Sequence, residues 1–149
     1  MSLISALGNY AFEYCFRLES AYLPKLTSKI AYQCFWNCSA LSSIYAPSAT
    51  GIEQQGLAGC INLLSASFPY VSFISGSAFQ SCYTLLSLYL MSTSMVSLGN
   101  TNAFSSTPIS NYTTSTGGVY GSIYVPASLL NSYKAATNWA TYSNRIVGV

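Results

Sequence analysis

The sequence has no histidine and no aspartate, and charged residues make up only 5% of its 149 residues. Without histidine, a chain lacks the usual general base near neutral pH and the commonest partner of a catalytic serine or cysteine. The only side-chain carboxylates, Glu13, Glu19 and Glu53, fall at different positions of the repeat described below, so no two are expected to meet as an acid–base pair. We therefore predict a protein that is not an enzyme, with no catalytic residues, no cofactor and no metal site.

Charge and hydropathy exclude two further classes of partner. The net charge is +2, from five Lys or Arg and three Glu, and the basic residues form no run, so nucleic acid is not an expected partner. No stretch approaches 18 uninterrupted apolar residues, so membrane insertion is not expected. The first residues have neither the basic start nor the apolar core of a signal peptide.

A short pattern recurs every 22 or 23 residues along the first part of the chain. Its centre is a cysteine, at Cys15, Cys38, Cys60 and Cys82. Three residues before each cysteine is a large apolar residue, at Phe12, Phe35, Leu57 and Phe79. A leucine lies three residues after each cysteine, and a proline nine residues after the first three. Self-similarity at this period predicts a solenoid, in which each turn buries its apolar face against its neighbours.

The cysteines are predicted to be buried free thiols. Because their spacing equals the repeat period, their Cβ vectors should be parallel, whereas a disulfide needs the two Cβ atoms aimed at each other. The fifth cysteine, Cys34, falls where other repeats have Ala or Gly, so we interpret it as a small core residue. A Cys34–Cys38 bridge and a metal site remain the alternatives.

Alternating polar and apolar residues predict one short strand in each repeat. Ser43-Ile44-Tyr45-Ala46 and Ser87-Leu88-Tyr89-Leu90 place every second side chain on one face, and Pro47 ends the first of these strands. Successive strands are expected to pair in parallel, about 4.8 Å apart. A second apolar column closes each repeat, at Ile30, Ile52, Ile74 and Val96.

We assign residues 1–126 to the repeats and residues 127–149 to a C-terminal helical cap. Residues 107–118, rich in Ser, Thr and Gly, predict an inserted loop, which is either functional or simply solvated. After Pro126 the apolar spacing becomes helical and includes Trp139, Tyr142 and Ile146. This spacing predicts one or two short amphipathic helices that cover the last apolar layer.

The outward positions of the predicted strands form two columns of hydroxyl-bearing side chains. One column is serine, at Ser20, Ser43, Ser65, Ser87 and Ser122. The other is tyrosine with one interruption, at Tyr22, Tyr45, Ser67, Tyr89 and Tyr124. Tyr offers a large contact area at low entropic cost and Ser offers adaptable hydrogen bonds, so both columns are candidate ligand contacts. The alternative is a pure scaffold, because Tyr favours strands and cross-strand Tyr pairs stabilise sheets.

The repeat units also resemble a known family. The segments Ala78-Phe79-Gln80-Ser81-Cys82-Tyr83-Thr84-Leu85 and Leu41-Ser42-Ser43-Ile44-Tyr45-Ala46-Pro47 are similar to the BspA-like (Treponema-type) leucine-rich repeats of bacterial surface proteins. The resemblance implies a leucine-rich-repeat solenoid that is curved and mostly β, with its short parallel strands on the concave face. It also implies adhesion or protein recognition, at the cell surface or outside the cell, and provides no catalytic residues.

Two functions from different classes follow. The first is a non-enzymatic recognition or adhesion module that binds a protein or glycan on the concave face. The second is a structural spacer or tip of a larger assembly, such as a phage-derived one. The N-terminal segment enters midway through a repeat with no capping element, so we expect either that the chain is a fragment of something longer or that its first layer is covered by another subunit. In the second case, oligomerisation through the N-terminal edge would build such an assembly.

Overall fold

The computed structural model describes residues 3–149. Within that range the regular elements are eight short strands and one short helix, α1 (Leu130–Ala135), together with several 3₁₀ turns. The strands are β1 (Ser20–Tyr22), β2 (Ser43–Tyr45), β3 (Ser65–Ser67), β4 (Phe73–Ile74), β5 (Ser87–Tyr89), β6 (Ser97–Leu98), β7 (Ser122–Val125) and β8 (Ile146–Gly148).

All strand pairings are parallel, as the sequence pattern predicts. The strands form three sheets: β1 with β2, β4 with β6, and a four-stranded sheet in the order β3-β5-β7-β8. Strands β2 and β3 are neighbours but share no ladder within residues 3–149. The expected row of five paired strands is therefore interrupted once, between the second and third.

Backbone hydrogen bonds join each repeat to the next at the period of the sequence pattern. The N–H of each large apolar residue donates to a carbonyl one repeat further on: Phe12 to Cys34 (2.8 Å), Phe35 to Gly56 (2.9 Å), Leu57 to Ala78 (2.9 Å) and Phe79 to Ala103 (2.9 Å). These bonds satisfy backbone groups that would otherwise be buried without partners. The hydrogen bonds between neighbouring repeats therefore recur with the same period as the sequence pattern.

The core contains the apolar columns that the sequence predicts. Phe35, Leu57 and Phe79 are fully buried. Phe12 stacks on Phe35 at 5.1 Å between ring centroids, and Phe79 stacks on Phe104 at 5.5 Å. Offset aromatic pairs of this kind stabilise a fold by more than the burial of their surface area alone would.

The register of the closing column differs from the prediction at its last member. Ile30, Ile52 and Ile74 pair in parallel as expected, but Ile74 then pairs with Leu98 rather than with Val96. The irregular chain between β5 and β6 accommodates the two extra residues. Val96 remains fully buried.

The predicted inserted loop is packed in its first part. Thr107 and Ile109 are buried, and Thr107 begins a 3₁₀ turn, Pro108–Ser110, through a reciprocal capping box with Ser110. Thr107 lies three residues after Phe104, which is the cysteine position of the other repeats. From Asn111 onward the loop is mostly exposed, and Gly117 and Gly118 near its end both have positive φ.

Each repeat turns sharply on either side of its large apolar residue. The residues at these turns have left-handed backbone conformations, four positions apart, although most are not glycine. The pairs are Tyr10 and Tyr14, Gln33 and Asn37, Gln55 and Gly59, and Ser77 and Ser81. Left-handed conformations cost an ordinary residue about 1–2 kcal/mol, so the repeat contacts must offset this strain.

The C-terminal segment is only partly helical. The predicted helix is present as α1, but residues Trp139–Arg145 form a 3₁₀ helix, and Ile146 begins strand β8 instead of lying on a helix. β8 pairs with β7, with Ile123 opposite Ile146 and Tyr124 opposite Val147. The apolar run Ile146-Val147 therefore continues the sheet, because an open strand edge at β7 was available for pairing.

Candidate functional site

The predicted tyrosine contacts lie at matching strand positions in two sheets, one formed by β1 and β2 and the other containing β5 and β7. Tyr22 is opposite Tyr45, and Tyr89 is opposite Tyr124. Their side chains point away from the core, and Tyr22, Tyr45 and Tyr89 are 65%, 51% and 37% exposed. Tyr124 is half-buried. Contiguous exposed apolar surface marks interaction sites in many proteins, so these rings remain candidate ligand contacts.

The rings form two stacked pairs rather than one continuous row. Tyr22 and Tyr45 lie 5.1 Å apart between centroids with an interplanar angle of 11°, and Tyr89 and Tyr124 lie 4.6 Å apart with an angle of 13°. Stacking hides the inner ring faces of each pair. The ring faces still available to a ligand are the outer face of Tyr22 and those that border the interruption.

The interruption is at Ser67, which is opposite Tyr89 on strand β3. One strand, β3, lies between Tyr45 on β2 and Tyr89 on β5, and β3 pairs with β5 but shares no ladder with β2. Ser67 is exposed and too short to fill that space. We call the space between the rings of Tyr45 and Tyr89, above Ser67, the Ser67 slot.

The predicted serine contacts form the neighbouring column. Ser20 is opposite Ser43, while Ser65, Ser87 and Ser122 share one register across β3, β5 and β7. None of these five hydroxyls forms a hydrogen bond within the described chain. They are therefore available as donors and acceptors to a ligand. Like the tyrosine column, the serine column contains no charged residue, so this surface suits a neutral ligand.

Strand β8 extends the site in a way that the sequence did not indicate. Val147 occupies the tyrosine column after Tyr124 and is 40% exposed. It covers one end of the column with an aliphatic side chain. The period-based reasoning missed it because residues 146–149 contain no recognisable repeat unit.

The cysteines contribute no reactive site at this surface. The thiols of Cys38, Cys60 and Cys82 each donate to a backbone carbonyl of the preceding repeat, that of Phe12 (3.0 Å), Phe35 (3.3 Å) and Leu57 (3.1 Å). Burial raises the pKa of the Cys38 thiol to about 11 and the pKa of the Cys82 thiol to about 12. All five cysteines are free thiols, and Cys15 alone is partly exposed.

No cluster of three or more potential metal ligands occurs between residues 3 and 149. No helix in that range is sufficiently long and apolar to cross a bilayer. A polar groove that the sequence analysis missed lies between the 107–111 segment and the C-terminal 3₁₀ helix, and it is described below.

Comparison with protein families assigns this repeat. The family model described as "BspA type Leucine rich repeat region" matches residues 5–119, in six copies. The chain belongs to this family. A search of curated proteins finds no match, and a search of solved structures finds none.

Membership of the BspA-type family confirms the resemblance drawn from the sequence. It suggests a repeat solenoid, in agreement with the parallel strands and the short C-terminal helix. Leucine-rich repeats generally mediate protein interactions, and this family is generally non-enzymatic and typically surface-associated. The family therefore suggests an interaction or adhesion module, without naming a partner.

Proposed function

We propose that this BspA-type chain is a non-enzymatic recognition or adhesion module at the cell surface or outside the cell. It forms a curved leucine-rich-repeat solenoid and binds a protein or glycan through its concave face. The contacts are the tyrosine column, Tyr22, Tyr45, Tyr89 and Tyr124, and the serines Ser43, Ser65, Ser87 and Ser122. The observation that carries the proposal is the Ser67 slot.

The slot gives the binding surface a shape that a pure scaffold does not need. A tyrosine at position 67 would complete the stack, and cross-strand aromatic pairs stabilise a sheet. The chain instead has a serine there and leaves two aromatic faces open. Stacked rings on these strands lie 4.6–5.1 Å apart, and we propose that one further ring from a ligand stacks in the same way between Tyr45 and Tyr89.

Two kinds of ligand ring match the slot. An aromatic side chain of a protein partner would continue the stack, and its polypeptide could hydrogen-bond to the serine column. A pyranose ring of a neutral glycan would present its C–H faces to the tyrosines and its hydroxyls to Ser65 and Ser87. Both ligands place a ring in the same position, so a single substitution tests both.

The experiment fills the Ser67 slot with a side chain of the protein itself. We expect Ser67→Tyr to reduce binding at least tenfold, because the new ring occupies the space that the ligand ring would enter. Wild-type and variant proteins are screened against an array of neutral oligosaccharides and a displayed random-peptide library. The measurement is the dissociation constant of each selected ligand for both proteins.

The matched control is Val147→Tyr. It adds a ring at the end of the same column, beside Tyr124, and leaves the slot open. We expect it to bind as the wild type does. If ligands selected by the wild type bind Ser67→Tyr with unchanged affinity, the slot is not the binding site. If only peptides are selected, the partner is a protein, and if only oligosaccharides are selected, it is a glycan.

A second function is favoured by the first repeat, whose apolar side chains are incompletely covered. Leu7, Phe12 and Leu18 are only partly buried, whereas Phe35 and Leu41 one repeat later are fully buried. We propose as the alternative a structural spacer or tip of a larger assembly, including a phage-derived one. In that case the N-terminal layer packs against another subunit.

A further inference from the structure

A polar groove of about 440 Å³ lies at the C-terminal end of the repeats. Its walls are the chain around Ser105 and Ser106, the turn at Ser110 and Asn111, and the 3₁₀ helix that ends at Arg145. The volume lies within the range of about 300–1,000 Å³ that is typical of small-molecule sites. The groove contains none of the residues of the tyrosine or serine columns.

Arg145 is the charged side chain of this groove, and it has no anionic partner. Its Nη2 donates to Asn111 Oδ1 at 2.8 Å, and its guanidinium lies over the Tyr120 ring, 3.8 Å from the ring centroid. The described chain contains one ion pair, between Lys29 and Glu53. The amide and the ring hold the guanidinium in place, and its remaining N–H groups are free to bind an oxyanion.

The other polar groups of the groove are neutral and can both donate and accept hydrogen bonds. The hydroxyls of Ser105, Ser106 and Thr141 have no hydrogen-bond partner within residues 3–149. Asn144 also lines the groove with a free amide. No carboxylate lies among the lining residues. Such a set matches a ligand that has one negative charge and several hydroxyls.

The walls are held in position before any ligand binds. Thr107 and Ser110 form a reciprocal capping box, and Thr107 Oγ1 also donates to the Phe104 carbonyl at 2.7 Å. On the opposite wall the Tyr142 hydroxyl donates to the Thr101 carbonyl. A fixed site loses less conformational entropy on binding than a mobile one.

We propose that this groove binds an acidic sugar, with the sugar carboxylate on the Arg145 guanidinium and the ring hydroxyls on Ser105, Ser106 and Asn144. The site is separate from the Ser67 slot and does not depend on it. It would give the module a second contact point, with a charged glycan residue as its ligand.

The test uses sodium D-glucuronate as the probe, titrated into the ¹⁵N-labelled full chain. We expect the amide signals of Ser106, Asn111 and Arg145 to shift, with a dissociation constant at least tenfold below those of D-glucose and sodium acetate. D-glucose lacks the charge and acetate lacks the hydroxyls. Binding should weaken with added salt, because part of the attraction is electrostatic.

Three variants locate the interaction. Arg145→Gln removes the charge and should weaken glucuronate binding at least tenfold, whereas Arg17→Gln makes the same charge change in the first repeat and should leave binding unchanged. Arg145→Lys keeps the charge but loses the planar fork, so it should give intermediate binding even if Arg145→Gln disturbs the loop. Thermal melting of each variant checks the fold.

Three results would overturn the proposal. The first is glucuronate binding no tighter than glucose. The second is acetate binding as tightly as glucuronate, which would make the groove a general anion site. The third is a folded Arg145→Gln protein with wild-type affinity. Loss of binding in Ser67→Tyr with glucuronate affinity retained would show that the two sites are independent.

Discussion

At the scale of single residues, the cysteine column combines packing with hydrogen bonding. The thiols of Cys38, Cys60 and Cys82 are small enough for the crowded interior, and each donates to a carbonyl of the preceding repeat, as Cys82 does to Leu57 at 3.1 Å. Sulfur is a weak donor, so the column stabilises each repeat contact modestly while filling its space. In the repeat without cysteine, Thr107 takes the position and donates to Phe104 instead.

The buried thiols make stability depend on alkaline pH. Burial raises the pKa of Cys34 and Cys82 to about 12 and that of Cys38 to about 11, whereas an unfolded thiol has a pKa of about 8.5. Above about pH 9 the unfolded chain loses thiol protons that the folded chain keeps. We therefore expect the free energy of unfolding to fall as pH rises through that window, by up to about 1.4 kcal/mol per pH unit for each thiol.

Urea unfolding under reducing conditions at pH 7.5 and pH 9.5 measures this effect. Cys82→Ser removes one titrating group and should reduce the loss, and Thr107 indicates that a hydroxyl is accepted in this column. An unfolding free energy that is the same at both pH values would contradict the raised thiol pKa values. Tyrosines contribute little at pH 9.5, because their pKa values start near 10.

Some single-residue features could be predicted from the sequence, and others could not. The cysteine and Phe columns were predictable because the same residue types recur at a fixed spacing. The left-handed turn positions were not, because Tyr14, Asn37, Gly59 and Ser81 share one backbone conformation but no residue type. The role of Thr107 was not predictable from the cysteine pattern, because it shares with cysteine only its small size and its ability to donate a hydrogen bond.

At the scale of elements, the C-terminal segment closes the edge of the β4–β6 sheet with side chains. Val96 N–H donates to the Tyr133 hydroxyl at 2.9 Å, and the Val96 carbonyl accepts from Trp139 Nε1 at 2.7 Å. Asn138 Nδ2 donates to the Leu98 carbonyl at 2.7 Å. These groups occupy the positions at which a further strand would bond, so the cap satisfies buried backbone groups as well as covering apolar ones.

Removing one of these bonds should be costly. Tyr133→Phe keeps the edge-to-face packing on Trp139, at 5.2 Å, but leaves the buried Val96 N–H without its acceptor. We expect the free energy of unfolding to fall by about 1–3 kcal/mol. Tyr70→Phe, at a 69% exposed side chain, is the control and should change it by less than about 0.5 kcal/mol.

Chemical denaturation of the two variants and the wild type gives the comparison. Equal stability of Tyr133→Phe and wild type would show that the hydrogen bond from Val96 to Tyr133 does not stabilise the fold.

The helical spacing predicted that Trp139 and Tyr142 would be buried, and they are. It could not predict β8, because the pairing of Ile146 depends on the free edge of β7 and not on the local sequence.

At the scale of the whole molecule, the two ends of the repeat array are covered unequally. The last repeat has the cap, with Trp139 buried against Phe104 at 6.1 Å between ring centroids. In the first repeat Phe12 and Leu18 are only partly buried.

The period predicted the succession of repeats. It did not predict the interruption between β2 and β3, because those two repeats have the same apolar pattern as the others.

The uneven covering predicts self-association if the alternative function is correct. The average mass from sedimentation should rise above 16.0 kDa with concentration, and Leu7→Lys should lower it again by placing a charge in the exposed layer. Leu64→Lys, at a side chain that is 54% exposed elsewhere on the surface, is the matched control. A mass of 16.0 kDa at every concentration would remove the support for assembly through this end.

The direct hydrogen bonds between repeats join one turn to the next, and this has a consequence for how such a chain can change length. Removing or duplicating one full period leaves every junction of the same kind as before, whereas gaining or losing a few residues inside a turn shifts all later junctions out of register. Viable lengths should therefore differ by whole periods of about 22 residues. Such changes would alter the number of tyrosine rings on either side of Ser67 but would keep the Ser67 slot.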